Sequence, residues 1–163
     1  MSVRPAASAG VDSFAPIVRA TLAHVQDLMG CSGADLILID WERSESLIFN
    51  VGTNGHAATP VGRQVPLAQS QEIIQALSQG QLYLMNDLHA LQDPSPAIQY
   101  LLNDGLRSLC SLPLTSQGTL VGIFSLYSEV PGFFDEEKIY LGREIANQIA
   151  IAISQSNLLR DLR

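Results

Sequence analysis

The stretch that decides the fold is Gly105–Val130, which reads GLRSLCSLPLTSQGTLVGIFSLYSEV. Two mainly apolar segments in it, Arg107–Thr115 and Thr119–Val130, are joined by the short polar turn Ser116-Gln117-Gly118. Two strand-forming segments on either side of a turn that contains glycine predict a β-hairpin. Around Cys110 the apolar residues are not confined to alternate positions, so we expect both faces of this hairpin to be buried.

A second hairpin is predicted in the first half of the chain. The segment Ala34–Trp41 (ADLILIDW) is apolar on both alternating faces, and Ser46–Val51 follows it after the polar turn Glu42–Glu45. Before this hairpin, apolar residues recur at helical spacing over Asp12–Met29, and Gly30 ends that pattern. We therefore expect a helix, then a central strand, then a neighbouring antiparallel strand.

The middle of the chain alternates irregular stretches with short elements. The stretches Gly52–Arg63 and Asn86–Ser95 are rich in turn-forming residues and are predicted to be long loops. Ordered loops of this length on a rigid sheet commonly hold binding groups. Beside these loops the pattern predicts a short edge strand, a helix, a short strand and another helix, which are Val65–Ala68, Gln69–Ser78, Leu82–Met85 and Pro96–Asn103.

The last helix is predicted to run from about Asp135 to Leu162. At 1.5 Å per residue its roughly 28 residues would span about 42 Å, more than a domain of this size can cover. Two stripes follow its length, an apolar one at four-three spacing (Ile145, Ile149, Ala152, Ser156, Leu159) and one of small residues (Gly142, Ala146, Ala150, Ser154). These stripes predict a dimer seam in which two helices approach closely. For Ile149 or Ile153, burial against the sheet explains the apolar position as well as a dimer seam does.

Composition bounds the classes of function. At 163 residues the chain is one domain, and only 15% of its residues are charged, with a net charge of −7. This acidic balance makes nucleic acid and anionic membranes poor partners. No apolar run is long enough to cross a bilayer and the first residues lack the apolar stretch of a signal peptide, so we expect a cytoplasmic protein. The mean hydropathy of +0.18 favours a second chain over part of the surface.

The order of these elements resembles the GAF family of sensory domains. The likeness covers roughly Asp12–Arg163 and rests on Gly105-Leu106-Arg107-Ser108, Leu112-Pro113-Leu114, Gly118-Thr119-Leu120-Val121-Gly122, Phe133–Glu137 and the helical segment REIANQIAIAI. The resemblance implies an α+β fold with a central antiparallel sheet of five to six strands. It implies that the N- and C-terminal helices lie on one face, and that short helices and loops cover a small-molecule pocket on the other. Residues 1–11 would form a flexible arm before a domain over residues 12–163.

Most of the family's chemistry does not carry over to this chain. Members that bind linear tetrapyrroles attach them to a cysteine before the strand that begins near Arg107, where this chain reads Asp93-Pro94-Ser95-Pro96-Ala97-Ile98. Members that bind cyclic nucleotides carry an Asn-Lys pair, whereas the only lysine here is Lys138. Asp87-Leu88-His89 resembles the Asp-Val-His stretch of free methionine sulfoxide reductases, but the cysteines that should follow are absent. We therefore expect no covalent bilin and no enzymatic activity, and the identity of any cofactor stays open.

The candidate ligand-binding residues come from the two loops and from the strands beside them. Several have a structural alternative, because Asp87 could cap the following turn, Arg107 could form an ion pair beside the sheet, and Cys110 could be a buried thiol. Arg63 and Arg107 are the groups that could offset a carboxylate or phosphate, so the expected ligand is neutral or weakly anionic. The cysteines and histidines show no metal-ligand spacing, so no metal site is expected. The candidates are Trp41, His56, Asp87, His89, Arg107, Cys110 and Tyr127.

These observations predict a regulatory domain of a signal-transduction protein, such as a sensor histidine kinase. A small molecule in the pocket would shift the packing of the first and last helices in a homodimer, and the last helix would pass that shift to a downstream output domain. Two alternatives stay open: a dimerisation spacer whose pocket is filled by side chains, and a small reductase.

Overall fold

A computed structural model describes residues 20–51 and 63–156 of the protein. The strands are β1 (Gly33–Asp40), β2 (Glu45–Val51), β3 (Arg63–Pro66), β4 (Tyr83–Met85), β5 (Ser108–Ser116) and β6 (Thr119–Ser128). The helices are α1 (residues 20–29), α2 (Gln71–Ser78), α3 (Pro96–Asn103) and α4 (Glu136–Ser156). The strands form one antiparallel six-stranded sheet in the order β3-β2-β1-β6-β5-β4. This architecture confirms the predicted α+β fold.

The two predicted hairpins, β1–β2 and β5–β6, supply the four central strands of the sheet. In the β5–β6 hairpin Ser116 pairs with Thr119, and the two residues between them, Gln117 and Gly118, have φ angles of 51° and 80°. Positive φ at both central positions gives a turn whose twist matches that of the paired strands, and glycine adopts it without strain. The pairing continues to Ser108 opposite Ser128, so β5 and β6 are paired along their full length.

Two segments differ from the prediction in local structure. The predicted edge strand ends at Pro66, and Leu67–Ser70 form one turn of 3-10 helix before α2 begins. The amide of Leu67, the first residue of this turn, donates to the carbonyl of Ser44 in the β1–β2 turn at 2.9 Å. After this bond the chain leaves the sheet. The predicted loop Asn86–Ser95 likewise contains one turn of 3-10 helix over Leu88–Ala90.

Alternate strand residues point to opposite faces of the sheet and build two separate apolar cores. One core lies between the sheet and the terminal helices α1 and α4, as the resemblance implied. The other lies between the sheet, α2, α3 and the two 3-10 turns. The first includes Leu22, Val25, Leu36, Leu38, Cys110, Leu112, Phe124, Leu126, Ala146 and Ile153, and the second includes Ile39, Ile73, Leu77, Leu88, Ile98, Leu109, Ile123 and Tyr127.

The first half of the small-residue stripe of α4, Gly142 and Ala146, faces the sheet. Gly142 and Ala146 are buried, and a Cβ added at Gly142 would lie only 2.9 Å from Cδ1 of Leu112. The predicted dimer seam is therefore wrong in this respect, because the small side chains let the helix approach β5. Ile145 and Ile149 are half-buried against the same core, whereas Ala152 is exposed.

Several predicted features lie outside the described residues. They are the arm over residues 1–11, the first part of the N-terminal helix, residues 52–62 of the first loop with His56, and residues 157–163 with Leu159. The side chains of Arg63 and Ser156 also fall outside the description. Within the described ranges, no helix combines the length and apolar character that are needed to cross a bilayer.

Candidate functional site

A row of polar side chains crosses the middle of the sheet on the face that α2 and α3 cover. Tyr83 of β4 pairs with Ser111 of β5, Ser111 pairs with Ser125 of β6, and Ser125 pairs with Asp35 of β1. Directly opposed residues on neighbouring antiparallel strands share a face, with Cβ atoms about 4.5–5.5 Å apart. We call these four residues the polar row. Most of the other described side chains on this face are apolar, and Ser46 of β2 lies on it opposite Ile39.

The two serines at the centre of the polar row are bonded to each other. The hydroxyl oxygens of Ser111 and Ser125 are 2.7 Å apart, and both residues are buried. One of the two hydroxyl protons occupies this bond. Among the described residues, neither hydroxyl has a further hydrogen-bond partner. The pair thus retains hydrogen-bonding capacity in the middle of an apolar face.

At the β1 end of the polar row, Tyr127 is bonded to Asp35. The Tyr127 hydroxyl donates to Oδ1 of Asp35 at 3.0 Å. Burial raises the pKa of Tyr127, and the charge of Asp35 raises it further, so the phenol stays protonated and acts as a donor. Tyr100 of α3 lies close enough to contribute to the same shift in pKa, and its side chain is 51% exposed. The Tyr127–Asp35 hydrogen bond thus joins the buried face of β6 to β1.

At the other end of the row, Tyr83 lies beside the helices that cover this face. Burial and then the charge of Glu72 on α2 raise the pKa of Tyr83. Oε2 of Glu72 also accepts a hydrogen bond of 3.2 Å from the amide of Ser95, which precedes α3. Glu72 therefore ties the start of α3 to α2, and within the described structure the buried Oγ of Ser95 has no hydrogen-bond partner.

Asp87 and Arg107 form an ion pair at the end of the sheet. Nε and Nη2 of Arg107 donate to Oδ1 and Oδ2 of Asp87 at 3.0 and 2.7 Å. The amide of His89 also donates to Oδ1 of Asp87, so Asp87 caps the 3-10 turn as well. The Arg107 bond is the largest cause that lowers the pKa of Asp87. Asp87 therefore caps the turn and Arg107 forms an ion pair, which are the structural alternatives that the sequence left open. Two guanidinium nitrogens of Arg107 are already bonded to Asp87.

Trp41 lies at the opposite end of the sheet from that ion pair. Its side chain is 46% exposed, and its indole N–H donates to the Leu120 carbonyl at 2.8 Å. The amide of Arg107 donates to the Ser128 carbonyl, eight residues further along β6. At about 3.4 Å per residue, the two ends are roughly 27 Å apart. Contrary to expectation, a small ligand cannot contact Trp41 together with Asp87 and Arg107.

Cys110 lies on the face of the sheet that packs against α4. It is fully buried in the first core, so the sheet separates it from Tyr127. Burial raises the pKa of Cys110 and of Cys31 to about 11, so both are thiols at neutral pH. The expectation that Cys110 lines the pocket is corrected, because its strand position has the parity of Leu112 and not that of Ser111.

Tyr127 is therefore the predicted candidate that contacts the polar row, and the exposed His89 lies beside Asp87. The sequence reasoning missed Asp35, Ser111 and Ser125. Each is a polar residue inside an otherwise apolar strand, and that signal was visible. Their alignment depends on the register between three strands, which the local pattern does not contain. Among the described residues, no group of three or more His, Cys, Asp or Glu side chains is arranged to hold a metal ion.

Comparison with known proteins supports the architecture. A family model described as the GAF domain matches residues 12–154. A search of curated proteins found no significant match to the sequence.

Solved structures with the same fold come from proteins of different kinds. Residues 122 to 287 of a methyl-accepting chemotaxis protein are 20% identical, covering 94% of this chain and 98% of that one with a TM-score of 0.72. The blue-light absorbing form of the Thermosynechococcus elongatus PixJ GAF domain is 14% identical, with 93% and 90% covered and a TM-score of 0.72. A free methionine-R-sulfoxide reductase from Neisseria meningitidis, solved with its substrate, is 22% identical, with 93% and 86% covered and a TM-score of 0.68.

Proposed function

Because the chain belongs to the GAF domain family, we propose that it is the sensory module of a signal-transduction protein, with no catalysis of its own. A small molecule binds on the face of the sheet beneath α2 and α3, and its presence is passed to an output domain, such as a histidine kinase, through the terminal helices. The polar row is the observation that carries this proposal.

The composition of that face suits ligand binding. Ligand sites are mostly apolar, with a small number of polar groups that set orientation and specificity. Here the hydroxyls of Ser111 and Ser125 and the carboxylate of Asp35 lie on a face made mostly of leucine and isoleucine side chains. Burying such groups costs free energy unless they are hydrogen-bonded. Ser111 and Ser125 are bonded to each other, and each hydroxyl keeps further hydrogen-bonding capacity that a ligand can use.

The same two strands connect this face to α4. Ser111 and Ser125 are each followed by a leucine that points to the opposite face, Leu112 and Leu126. A Cβ added at Gly142 of α4 would lie 2.9 Å from Cδ1 of Leu112 and 3.5 Å from Cδ1 of Leu126. Because packed interiors are not freely compressible, a shift of β5 or β6 on ligand binding is expected to displace α4.

The thiols favour binding over catalysis. The reductase that shares the fold acts on methionine sulfoxide, and reduction of a sulfoxide by cysteine requires an accessible thiolate. Here both cysteines are buried and their pKa values are raised to about 11. A covalently held bilin is likewise not proposed, because the segment Asp93–Ile98 contains no cysteine.

The proposed partner on the outer side of α4 is a second copy of the chain. Tyr140 and Ile151 lie on the face of α4 that points away from the sheet and are 67% and 58% exposed. They stand eleven residues apart, which is close to three helical turns, so they lie in one line. Two apolar side chains in a line suit a symmetric contact between two parallel helices.

Native mass spectrometry and a thermal-shift screen test the sensory function. Freshly purified protein is examined for a retained small molecule, and a library of neutral, anionic and cationic metabolites is then screened. We expect a ligand that raises the Tm of the wild type and has less effect on Ser111→Ala, whereas Glu129→Gln, at an exposed position outside the sheet, responds like the wild type. If no molecule is retained and none raises the Tm, the domain is a dimerisation spacer.

A further inference from the structure

We propose that the ligand of this face carries an uncharged amide group, a carboxamide or a lactam, which hydrogen-bonds to the hydroxyls of Ser111 and Ser125. This inference rests on the proposed sensory function and names the chemical class of its ligand. It narrows the neutral or weakly anionic ligand that the sequence predicts to a neutral one.

The serine pair offers a ligand both a donor and acceptors. The hydroxyl oxygens of Ser111 and Ser125 are 2.7 Å apart and either can be the donor, so their bond uses one of the two protons. The second proton is left to donate, and both oxygens keep lone pairs that can accept. Because the direction of the bond can reverse, the donor can be presented from either strand. The group that matches such a pair has an acceptor and a donor side by side, as the edge of an amide does.

The burial of the serine pair favours an uncharged group. Ser111 is fully buried and Ser125 is 4% exposed. A charged group placed against them would lose its hydration, which costs far more free energy than burying a neutral amide that regains its hydrogen bonds. The two hydroxyls can supply those bonds to the N–H and the C=O of the amide.

The charged side chains of the described structure do not favour an ionic group at the pair. The arginine and lysine side chains that the structure describes lie in ion pairs or on α4, away from the polar row: Arg43, Arg107, Lys138 and Arg143. Asp35 accepts the Tyr127 hydroxyl at 3.0 Å, and Glu72 on α2 accepts the Ser95 amide at 3.2 Å. An anion would therefore meet these carboxylates without any of the four cations beside it, and a cation would compete with donors that the carboxylates already have.

The helix α2 covers this part of the sheet and has to move aside for binding. It packs over β4, β5 and β6, and its residues Ile73 and Leu77 are buried in the core of this face. Because ligand sites are mostly apolar, the carbon part of the ligand would replace apolar contacts that α2 gives up. The amide then supplies hydrogen bonds to the pair, which an apolar side chain of α2 cannot do.

Two series of probes, each built on one ring and differing in one group, test this class of ligand. The first is benzamide, benzoate, benzylamine and acetophenone, which are an amide, an anion, a cation at neutral pH and a ketone that accepts but does not donate. The second is δ-valerolactam, piperidine and cyclohexanone. Saturation-transfer difference NMR titrations measure each Kd on the wild type. We expect the amide of at least one series to bind, and to bind at least ~10-fold more tightly than the other members of its series.

A double serine variant tests the position of the amide. Ser111→Ala/Ser125→Ala removes both hydroxyls together, so no unpaired hydroxyl remains and the fold should persist. We expect this variant to bind the amide at least ~10-fold more weakly than the wild type. Ser154→Ala, at an exposed position on α4, is the matched control and should leave binding unchanged.

The outcomes separate this inference from the sensory function. An amide that binds the double serine variant as tightly as the wild type overturns the inference. So does a result in which neither amide is the tightest member of its series, although the sensory function stands if the metabolite library contains a ligand. If neither the probes nor the library contain one, both are wrong. If the double variant fails to fold, the order of affinities on the wild type decides the inference.

Discussion

The two faces of the sheet use the same strands for different purposes. On the face toward α1 and α4, β5 and β6 present Cys110, Leu112, Leu126 and the backbone at Gly122, and the packing is close. On the face toward α2 and α3 they present Ser111 and Ser125 among apolar residues. Residues one position apart thus build a well-packed core and a polar row. One hairpin can therefore stabilise the fold with one face and offer the proposed ligand site with the other.

The closeness of packing on the terminal-helix face can be expressed in distances. A Cβ at Gly122 would lie 2.7 Å from the carbonyl oxygen of Ile37, and one at Gly142 would lie 2.9 Å from Leu112. In the polar row, the Ser111–Ser125 and Tyr127–Asp35 hydrogen bonds fix the positions of the side chains. We therefore expect substitutions to act on stability from one face and on binding from the other.

The largest expected effect comes from neighbouring residues of β6 that point to opposite faces. Leu126→Ala removes a fully buried side chain and should lower the free energy of unfolding by about 3 kcal/mol. Ser125→Ala leaves the buried Ser111 hydroxyl without its partner and should cost only about 1 kcal/mol. The double variant Ser111→Ala/Ser125→Ala should recover most of that loss, because no unpaired hydroxyl remains. Urea denaturation monitored by circular dichroism measures all four proteins.

Equal losses for Leu126→Ala and Ser125→Ala would contradict the division between the faces. A double serine variant that is less stable than Ser125→Ala would show that the serine pair contributes to the core.

A similar comparison applies to the two sides of α4. Ile153 is fully buried against the sheet, so Ile153→Ala should cost about 2–4 kcal/mol. Ile151 is largely exposed, so Ile151→Glu should leave the stability of the fold within about 0.5 kcal/mol and weaken the proposed dimer. Sedimentation velocity over a dilution series measures the dimer, with Gln148→Glu as the charge-matched control on the same helix. A wild type that stays monomeric at high concentration, or an Ile151→Glu variant that dimerises as well as the wild type, overturns the proposed contact.

The smallest effect is expected from the ion pair between Asp87 and Arg107 at the end of the sheet. The pKa of Asp87 is lowered in the folded state, chiefly by Arg107. A carboxyl whose pKa is lower in the folded protein stabilises the fold above its usual pKa of about 3.9, and that contribution is lost as the pH falls through the folded value. Asp87→Asn should therefore reduce the Tm slightly at pH 7, and the difference from the wild type should vanish well below about pH 4.

Differential scanning calorimetry from pH 7 downward measures this difference. Asp93→Asn, at an exposed position of the same segment, is the control. A Tm difference for Asp87→Asn that persists unchanged at the lowest pH would mean that the ion pair does not cause it.

Much of the fold and part of the site were predictable from local signals. The bounds predicted for α3, Pro96–Asn103, are those of the structure, and both hairpins form where the apolar segments and turn residues placed them. For Asp87 and Arg107 the sequence left a ligand role and a structural role open, and the structure shows the ion pair and the cap. The residue types of Trp41 and Cys110 suit a ligand site. In the structure Trp41 lies about 27 Å along β6 from Arg107, and Cys110 lies on the opposite face of the sheet from Tyr127.

The elements and their order follow from local patterns, because the periodicities of helices and strands extend over only a few residues. A period of two shows that a strand has two faces, but it does not show which helix covers each face. The tertiary structure decided that Gly142 and Ala146 serve contact with the sheet, and that Ser111, Ser125 and Asp35 lie in one row. The bond from Tyr127 to Asp35 joins residues 92 positions apart in the chain. Only the pairing of β1 with β6 brings them together, and that register results from burial of whole faces and not from any local pattern.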